Sequence, residues 1–312
     1  MANGRTRSAL GLAAGIGAGI FVGRVGLLGV AILRAMIQGI RQPISQTPAQ
    51  VGLPAQMASF RSDDGVDLRG WFIPAQATTP APTVVFIHGW PWNRLGNQPG
   101  HLPIPDAPVE FLPTASALHQ AGFNLLMFDL RNHGQSGAKP PVTFGLRESL
   151  DLVAAVAWLR KRPDVDPAQI SLLGFSMGAN TALYALREIQ PIPTAILVQP
   201  VRVSTFARQF AATSLGVVGP TLLALSDPIY QAFGGPPLHT IDPTGAAALA
   251  GETKLLFIQG EQDPWGSLAE VQSMVNAAPN ATLITTPSQD RYTGYQWVRQ
   301  NPERVVEFFV AG

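Results

Sequence analysis

The stretch ISLLGFSMGANTALYALREI, residues 170–189, decides how the chain is read. Four residues, mostly apolar, run into Gly174-Phe175-Ser176-Met177-Gly178, and a helical pattern follows. This is G-x-S-x-G between a strand and a helix, with the serine at the apex of a strained turn. The flanking glycines leave room for neighbouring backbone, so the hydroxyl stands exposed above the sheet at a helix N-terminus. That helix end and the Met177 N–H are suited to hold a developing oxyanion.

Outward from this turn, strands and helices alternate. QMASFRS and VDLRGWFI flank Asp63-Asp64-Gly65 and predict an antiparallel hairpin. TVVFIH, FNLLMFDL, ISLLGF, TAILVQ and KLLFIQG are short apolar runs of the kind found in buried parallel strands. Between them, residues 108–121, ESLDLVAAVAWLRKR, GANTALYALREI and residues 267–277 predict helices, with a further strand at ATLITT and a closing helix near ERVVEFF. The pattern predicts an α/β domain over residues 56–312: a mostly parallel, eight-stranded sheet with helices on both faces. The rhythm breaks at residues 200–253. This apolar insert is too long for a bare loop and predicts a small cap over the strand ends.

With these elements in place the chain resembles the α/β-hydrolase family, and within it the single-domain, prolyl-oligopeptidase-like and serine-aminopeptidase-like branch. The resemblance covers about residues 56–312. DDGVDLRGWFIPA resembles the opening hairpin and FIHGWPWNR the HGxP loop. FDLRNHGQSG resembles a D-x-R-G-H-G-x-S turn, with Asn132 in place of the first glycine. LFIQGEQDPWG resembles the strand and turn that supply the triad acid. The resemblance implies Ser176 as nucleophile, Asp263 as acid, and the Met177 and Trp90 N–H groups as oxyanion donors. It also implies structural roles for His88, Asp129 and His133.

The histidine that should follow the last strand is missing. TTPSQDRYTGYQW, residues 285–297, stands there, with Asp290, Arg291 or Tyr292 at the decisive place. None is a good base for a serine hydroxyl: a carboxylate near pKa 4 is too weak, and a tyrosine near 10 is protonated at neutral pH. Of the five histidines, His119 falls in a helix below the site. His101, in the long loop after the HGxP segment, and His239, in the cap, are the two candidates for a relocated base. Two functions therefore compete. One is a hydrolase acting on an ester, thioester or amide with a weakened or relocated base. The other is a catalytically inactive hydrolase fold that binds an apolar ligand or a partner. The apolar cap favours a small apolar or acyl substrate in either case.

Composition narrows the field. The 312 residues carry 21 basic and 20 acidic side chains and no cysteine. Near-neutral charge without basic runs excludes a nucleic-acid footprint. The lack of cysteine excludes disulfides and thiolate chemistry. The histidines show no metal-ligand spacing, so neither a metal nor a cofactor is expected.

Residues 9–33 are apolar except for Arg24, and a membrane-spanning helix needs about 20 such residues. Gly11, Gly15, Gly19 and Gly23 fall on one helical face, the spacing through which helices associate in lipid. In water each glycine would cost a helix about 1 kcal/mol. Residues 1–41 thus predict a membrane anchor with its flanks. A cleaved signal peptide and a surface-lying helix are the alternatives, and the flanking arginines set no orientation. Residues 42–55, with three prolines and no charge, predict a linker. Deleting residues 1–42 is then expected to leave a soluble, folded domain.

Overall fold

The computed structural model describes residues 25–77, 80–102 and 106–312. Its centre is a sheet of β1 (Gln56–Arg61), β2 (Asp67–Ile73), β3 (Ala81–Ile87), β4 (Asn124–Asp129), β5 (Val165–Phe175), β6 (Thr194–Val198), β7 (Lys254–Gly260) and β8 (Ala281–Thr286). The strands lie in the order β1-β2-β4-β3-β5-β6-β7-β8. β2 runs antiparallel to β1 and to β4, and every other pair is parallel. The hairpin, the eight strands and the mostly parallel sheet are as the sequence predicts.

The apolar strand runs are explained by burial on both faces, since neighbouring side chains point to opposite sides. Val85, Ile87, Leu126, Phe128, Leu197 and Phe257 enter one core, under α3 (Glu148–Leu159), α4 (Met177–Ile189) and α8 (Leu268–Ala277). Val84, Phe86, Leu125, Met127, Ile196 and Ile258 enter the other, under α2 (Leu112–Gln120), α9 (Arg291–Gln300) and α10 (Pro302–Val310).

The insert forms the predicted cap. It contains α5 (Val203–Leu215), α6 (Gly219–Ala232) and the short α7 (Thr244–Ala247). By length and hydropathy the stretch Val203–Ala232 could cross a membrane. Here it is folded into a hairpin. Gly216 takes φ 61°, and a Cβ on Gly219 would lie 2.2 Å from the Ala211 carbonyl oxygen, so the two helices meet backbone to backbone.

Of the predicted anchor, residues 9–24 lie outside the described residues, with Gly11, Gly15, Gly19 and Gly23 among them. Residues 25–33 open α1 (Val25–Gln38), which packs on the domain. Ile32, Ala35, Met36 and Ile37 are buried, while Leu27 and Val30 face outward. Gly39 ends α1 at φ 72°, pressed on Asn132, and the Trp90 indole N–H donates to the Ala35 carbonyl at 3.3 Å.

The stretch read as a linker is fastened too. Gln42 is buried and donates to Asn97 Oδ1 at 3.2 Å, and the Asn93 amide donates to the carbonyls of Gln42 and Pro43 at 3.2 and 3.1 Å. Residues 48–51 form a 3-10 turn, and Leu53 is buried. Three prolines without charge read as a linker, yet their neighbours here satisfy buried amides of the HGxP loop.

Candidate functional site

β5 ends at Phe175, and Ser176 takes φ 52° and ψ −115° before α4 begins. Such a conformation costs about 1–3 kcal/mol in a non-glycine residue. It is held by the Ser176 N–H donating to the Val198 carbonyl at 2.8 Å, and by the Ser176 carbonyl accepting from Ala179 and Asn180. Both flanking glycines are needed sterically. A Cβ on Gly174 would lie 2.6 Å from the Gly178 carbonyl oxygen, and one on Gly178 would lie 2.0 Å from the Ile87 carbonyl oxygen.

Ser176 lines a small space with Trp90, Trp92, Phe206, Phe210, Trp265, Arg291, Tyr292 and Tyr295. The free volume is about 20 Å³, room for roughly one water. Met177 N–H opens α4 and has no intrahelical acceptor. Trp90 N–H has no backbone acceptor among the described residues. These are the two groups predicted to hold an oxyanion.

Of the three residues the sequence offers at the place of the base, Arg291 is the one that donates to Ser176. Asp290 caps α9 by accepting from the Thr293 N–H at 2.7 Å. The helix start then sends Arg291 inward, where it is almost fully buried. One guanidinium nitrogen pairs with Asp263 in a short contact. The other donates to Ser176 Oγ at 3.2 Å and to the Gln199 carbonyl at 2.9 Å. Burial alone would lower the arginine pKa, but the adjacent Asp263 carboxylate outweighs it, and the pKa rises above its ordinary value. Arg291 is therefore a permanent cation. It donates to Ser176 and accepts nothing.

Asp263 follows β7 and lies one guanidinium away from Ser176. Its carboxylate also accepts from Trp265 N–H at 2.9 Å and from the Gln259 amide at 3.2 Å. Tyr295, one helical turn beyond Arg291, lines the same space, and burial pushes its phenol pKa up. Gln199 follows β6 at φ 50° and binds both ends of the arrangement. Its amide donates to the Arg291 carbonyl at 2.8 Å, and its Oε1 accepts from Gly260 N–H at 3.2 Å. Sequence reasoning missed Tyr295 and Gln199. The i,i+4 spacing of Arg291 and Tyr295 was a usable signal, and Gln199 gave none.

Neither proposed relocated base reaches the serine. His239 is exposed in the 3-10 turn Leu238–Thr240 of the cap, and His101 is exposed in its loop. His119 contacts the Pro74 carbonyl through Nε2 at 3.0 Å. His88 uses both ring nitrogens, on Gly89 O at 2.8 Å and Leu130 N–H at 3.0 Å. His133 is buried beside it, with Nδ1 2.8 Å from the Arg131 carbonyl. Asp129 is likewise structural, accepting from the Arg94 N–H and guanidinium at 2.8 Å each. Asn132, at φ 67°, replaces the expected glycine because asparagine tolerates the left-handed region.

An esterase from Pyrococcus furiosus superimposes with a TM-score of 0.70 at 26% identity, covering 88% of this chain and 98% of that one. The α/β hydrolase GrgF from a Penicillium species gives a TM-score of 0.61 at 20% identity over 82% of this chain and 98% of that one, a likeness of fold. In sequence, the uncharacterized protein YfhR of Salmonella typhimurium is 36% identical over 143 residues, or 45% of this chain and 42% of the relative. The Penicillium polyketide transferase grgF is 30% identical over 154 residues, 49% of this chain and 47% of the relative. The matches thus span less than half the length of these curated relatives. A family model described as the alpha/beta hydrolase family matches residues 84–312, from the third strand through the elbow to the last helix, and the chain belongs to that family.

Proposed function

We propose that this family member is a serine hydrolase acting on an activated ester or thioester, with an arginine where the general base would stand. Ser176 is the nucleophile. Its Oγ forms a bond to the acyl carbon, and the carbonyl electron pair moves onto oxygen, facing the Met177 and Trp90 N–H groups. The tetrahedral intermediate collapses by expelling the leaving group with its electron pair, and the serine proton passes to water. Water then attacks the acyl-enzyme and releases the acid. Arg291 takes no proton. Its charge, 3.2 Å from Oγ, favours the alkoxide over the hydroxyl. Asp263 holds that cation in place.

The observation that carries this reading is the Arg291 bridge between Asp263 and Ser176. It keeps the elbow and the oxyanion donors in a familiar arrangement while removing proton acceptance. Turnover is therefore slow, since loss of the base from such a triad costs up to about 10⁶ in rate.

One observation favours a second reading, a binding protein without turnover. Arg291 engages the Ser176 hydroxyl and Tyr295 lines the same space, and neither carries a lone pair basic enough to deprotonate the serine. Labelling with a fluorophosphonate probe separates the two. Slow labelling of the wild type that disappears in Ser176→Ala supports the hydrolase. No labelling at saturating probe, with an acyl ligand still bound, supports the binder.

A further inference from the structure

The second helix of the cap hairpin turns an apolar face to the outside. A helix on a protein surface normally points polar residues outward. α6 points out Leu225 and Ile229, and Phe233 follows just past its end; all three are exposed. Thr221 and Gln231 are its only exposed polar residues, and its one charged residue, Asp227, is half-buried. α1 runs beside it. A Cβ on Gly29 would lie 3.5 Å from Leu222 Cδ1. Further along, Val142 donates its N–H to the Met36 carbonyl at 3.1 Å, and its carbonyl accepts from the Tyr230 hydroxyl at 2.7 Å. α1 likewise leaves Leu27 and Val30 exposed. A run of exposed apolar residues on two adjacent helices marks a surface that meets something other than water.

We propose that this face rests on a lipid bilayer, with α1 and α6 at the depth of the headgroups. Two observations select lipid. The first is charge. α1, α5 and α6 expose no carboxylate, and their exposed charges are Arg34 and Arg208. Both can reach lipid phosphates while their stems stay against apolar surface. The second is length. α1 takes up residues 25–38, so residues 9–24 are what remains of the span expected from sequence. As a helix they would reach about 24 Å, short of a hydrocarbon core about 30 Å thick. Thinning of the bilayer around a short span brings its flank, with Leu27 and Val30, into the headgroup layer. The inference does not depend on the hydrolase reading. It bears on the site because α5, paired with α6 in the hairpin, supplies Phe206 and Phe210 to the space around Ser176.

The test uses the lack of cysteine in the chain, which lets a single introduced thiol report on one place. The full-length chain, in nanodiscs of phosphatidylcholine and phosphatidylglycerol, carries Leu225→Cys, Ile229→Cys or Phe233→Cys with a fluorophore on the sulfur. These side chains are exposed, so the label displaces no packing. Glu303→Cys is the reference, exposed on α10 against the opposite face of the sheet. Each label is challenged with iodide in the water and with a nitroxide on the lipid chain near the headgroup.

The three α6 labels should lose about half their emission or more to the lipid nitroxide, because the apolar face of an interfacial helix sits about 5–10 Å deep. Iodide should leave them bright. The Glu303→Cys label should respond the other way round. Iodide quenching of the α6 labels as strong as that of the reference would overturn the proposal, since the face is then in water. Labels shielded from both quenchers would overturn it as well, because a second copy or residues 9–24 then cover the face. So would a full-length chain that does not enter the nanodisc. None of these labels touches Ser176, so their failure leaves the chemistry there untouched.

Discussion

Arg291 concentrates the chemistry of this protein into one side chain. An imidazole at that place would accept the serine proton and pass its charge to Asp263. The guanidinium keeps the charge permanently and leaves the serine proton without an acceptor. Hydrolysis of an aryl ester should therefore rise steadily with hydroxide from pH 6 to 9, with no inflection near 6.5. Arg291→His should add that inflection and raise the rate at pH 7.5 about tenfold or more; a pH–rate profile of both proteins decides it. Arg291→Ala should instead destabilise the fold by about 3–5 kcal/mol, because the Asp263 carboxylate, 1% exposed, loses its counter-charge. Chemical denaturation reads that loss, and Asp263→Asn in the same background should recover part of it.

The two buried histidines give a second prediction at this scale. Burial lowers the His88 pKa to about 4 and, with His88 beside it, lowers that of His133 to about 3. Both are neutral in the fold, whereas in the unfolded chain they take up protons below about pH 6.5. Stability that is full above pH 6.5 should thus be lost as pH falls toward 4. His88 alone accounts for about 3 kcal/mol of the loss. Unfolding free energies at pH 7 and 4.5 measure it, and the His88 ring nitrogen resonances should stay those of a neutral imidazole down to pH 5.

Among the elements, the β5–α4 elbow depends on distance more than on hydrogen bonds. Gly178 lets the first turn of α4 lie on the Ile87 and His88 carbonyls, at 2.0 and 2.7 Å from where a Cβ would be. Gly178→Ala has no flexible neighbour to push aside. It should cost about 3 kcal/mol or more, with the loss seen in thermal unfolding and in probe labelling of Ser176. The G-x-S-x-G spacing shows this in the sequence, since the need for glycine is local. The α5–α6 hairpin is different. Its apolar composition suits a membrane span as well as a cap, and the distinction rests on Gly216 and Gly219, where the chain turns back on itself.

For the whole molecule, the decisive feature is how α1 and the stretch after it are docked. Trp90, which lines the serine space, donates its indole N–H to Ala35. Arg41 donates to the carbonyls of Gly134 and Ser136 at 2.9 and 2.7 Å. Removing residues 1–42, expected from sequence to leave a sound domain, would strip these bonds and expose Trp90, Phe144 and Phe210. A chain starting at Pro43 should melt lower and bind a hydrophobic dye, while one starting at Val25 should match the full chain in both. Retention of the full chain in membranes through alkaline carbonate washing remains the outcome expected of residues 9–33; release into the wash would leave α1 as a packing helix only.

The sheet, its two buried faces, the cap insert and the serine elbow were all legible before folding, because each is written in neighbouring residues. Short apolar runs, turn glycines and the strand-to-helix switch act over a few positions. The absence of a base was legible for the same reason, since QDRYT stands where the fold delivers one. Which of Asp290, Arg291 and Tyr292 reaches the serine was not. Ser176, Gln199, Asp263 and Arg291 come from four separate connections, and only the assembled sheet shows that the Arg291 guanidinium reaches the other three. The fate of α1 was equally hidden. An apolar helix gains by leaving water whether lipid or protein receives it, so composition alone cannot tell the two apart. The surface formed by Trp90, Phe144 and the cap decides where that helix goes.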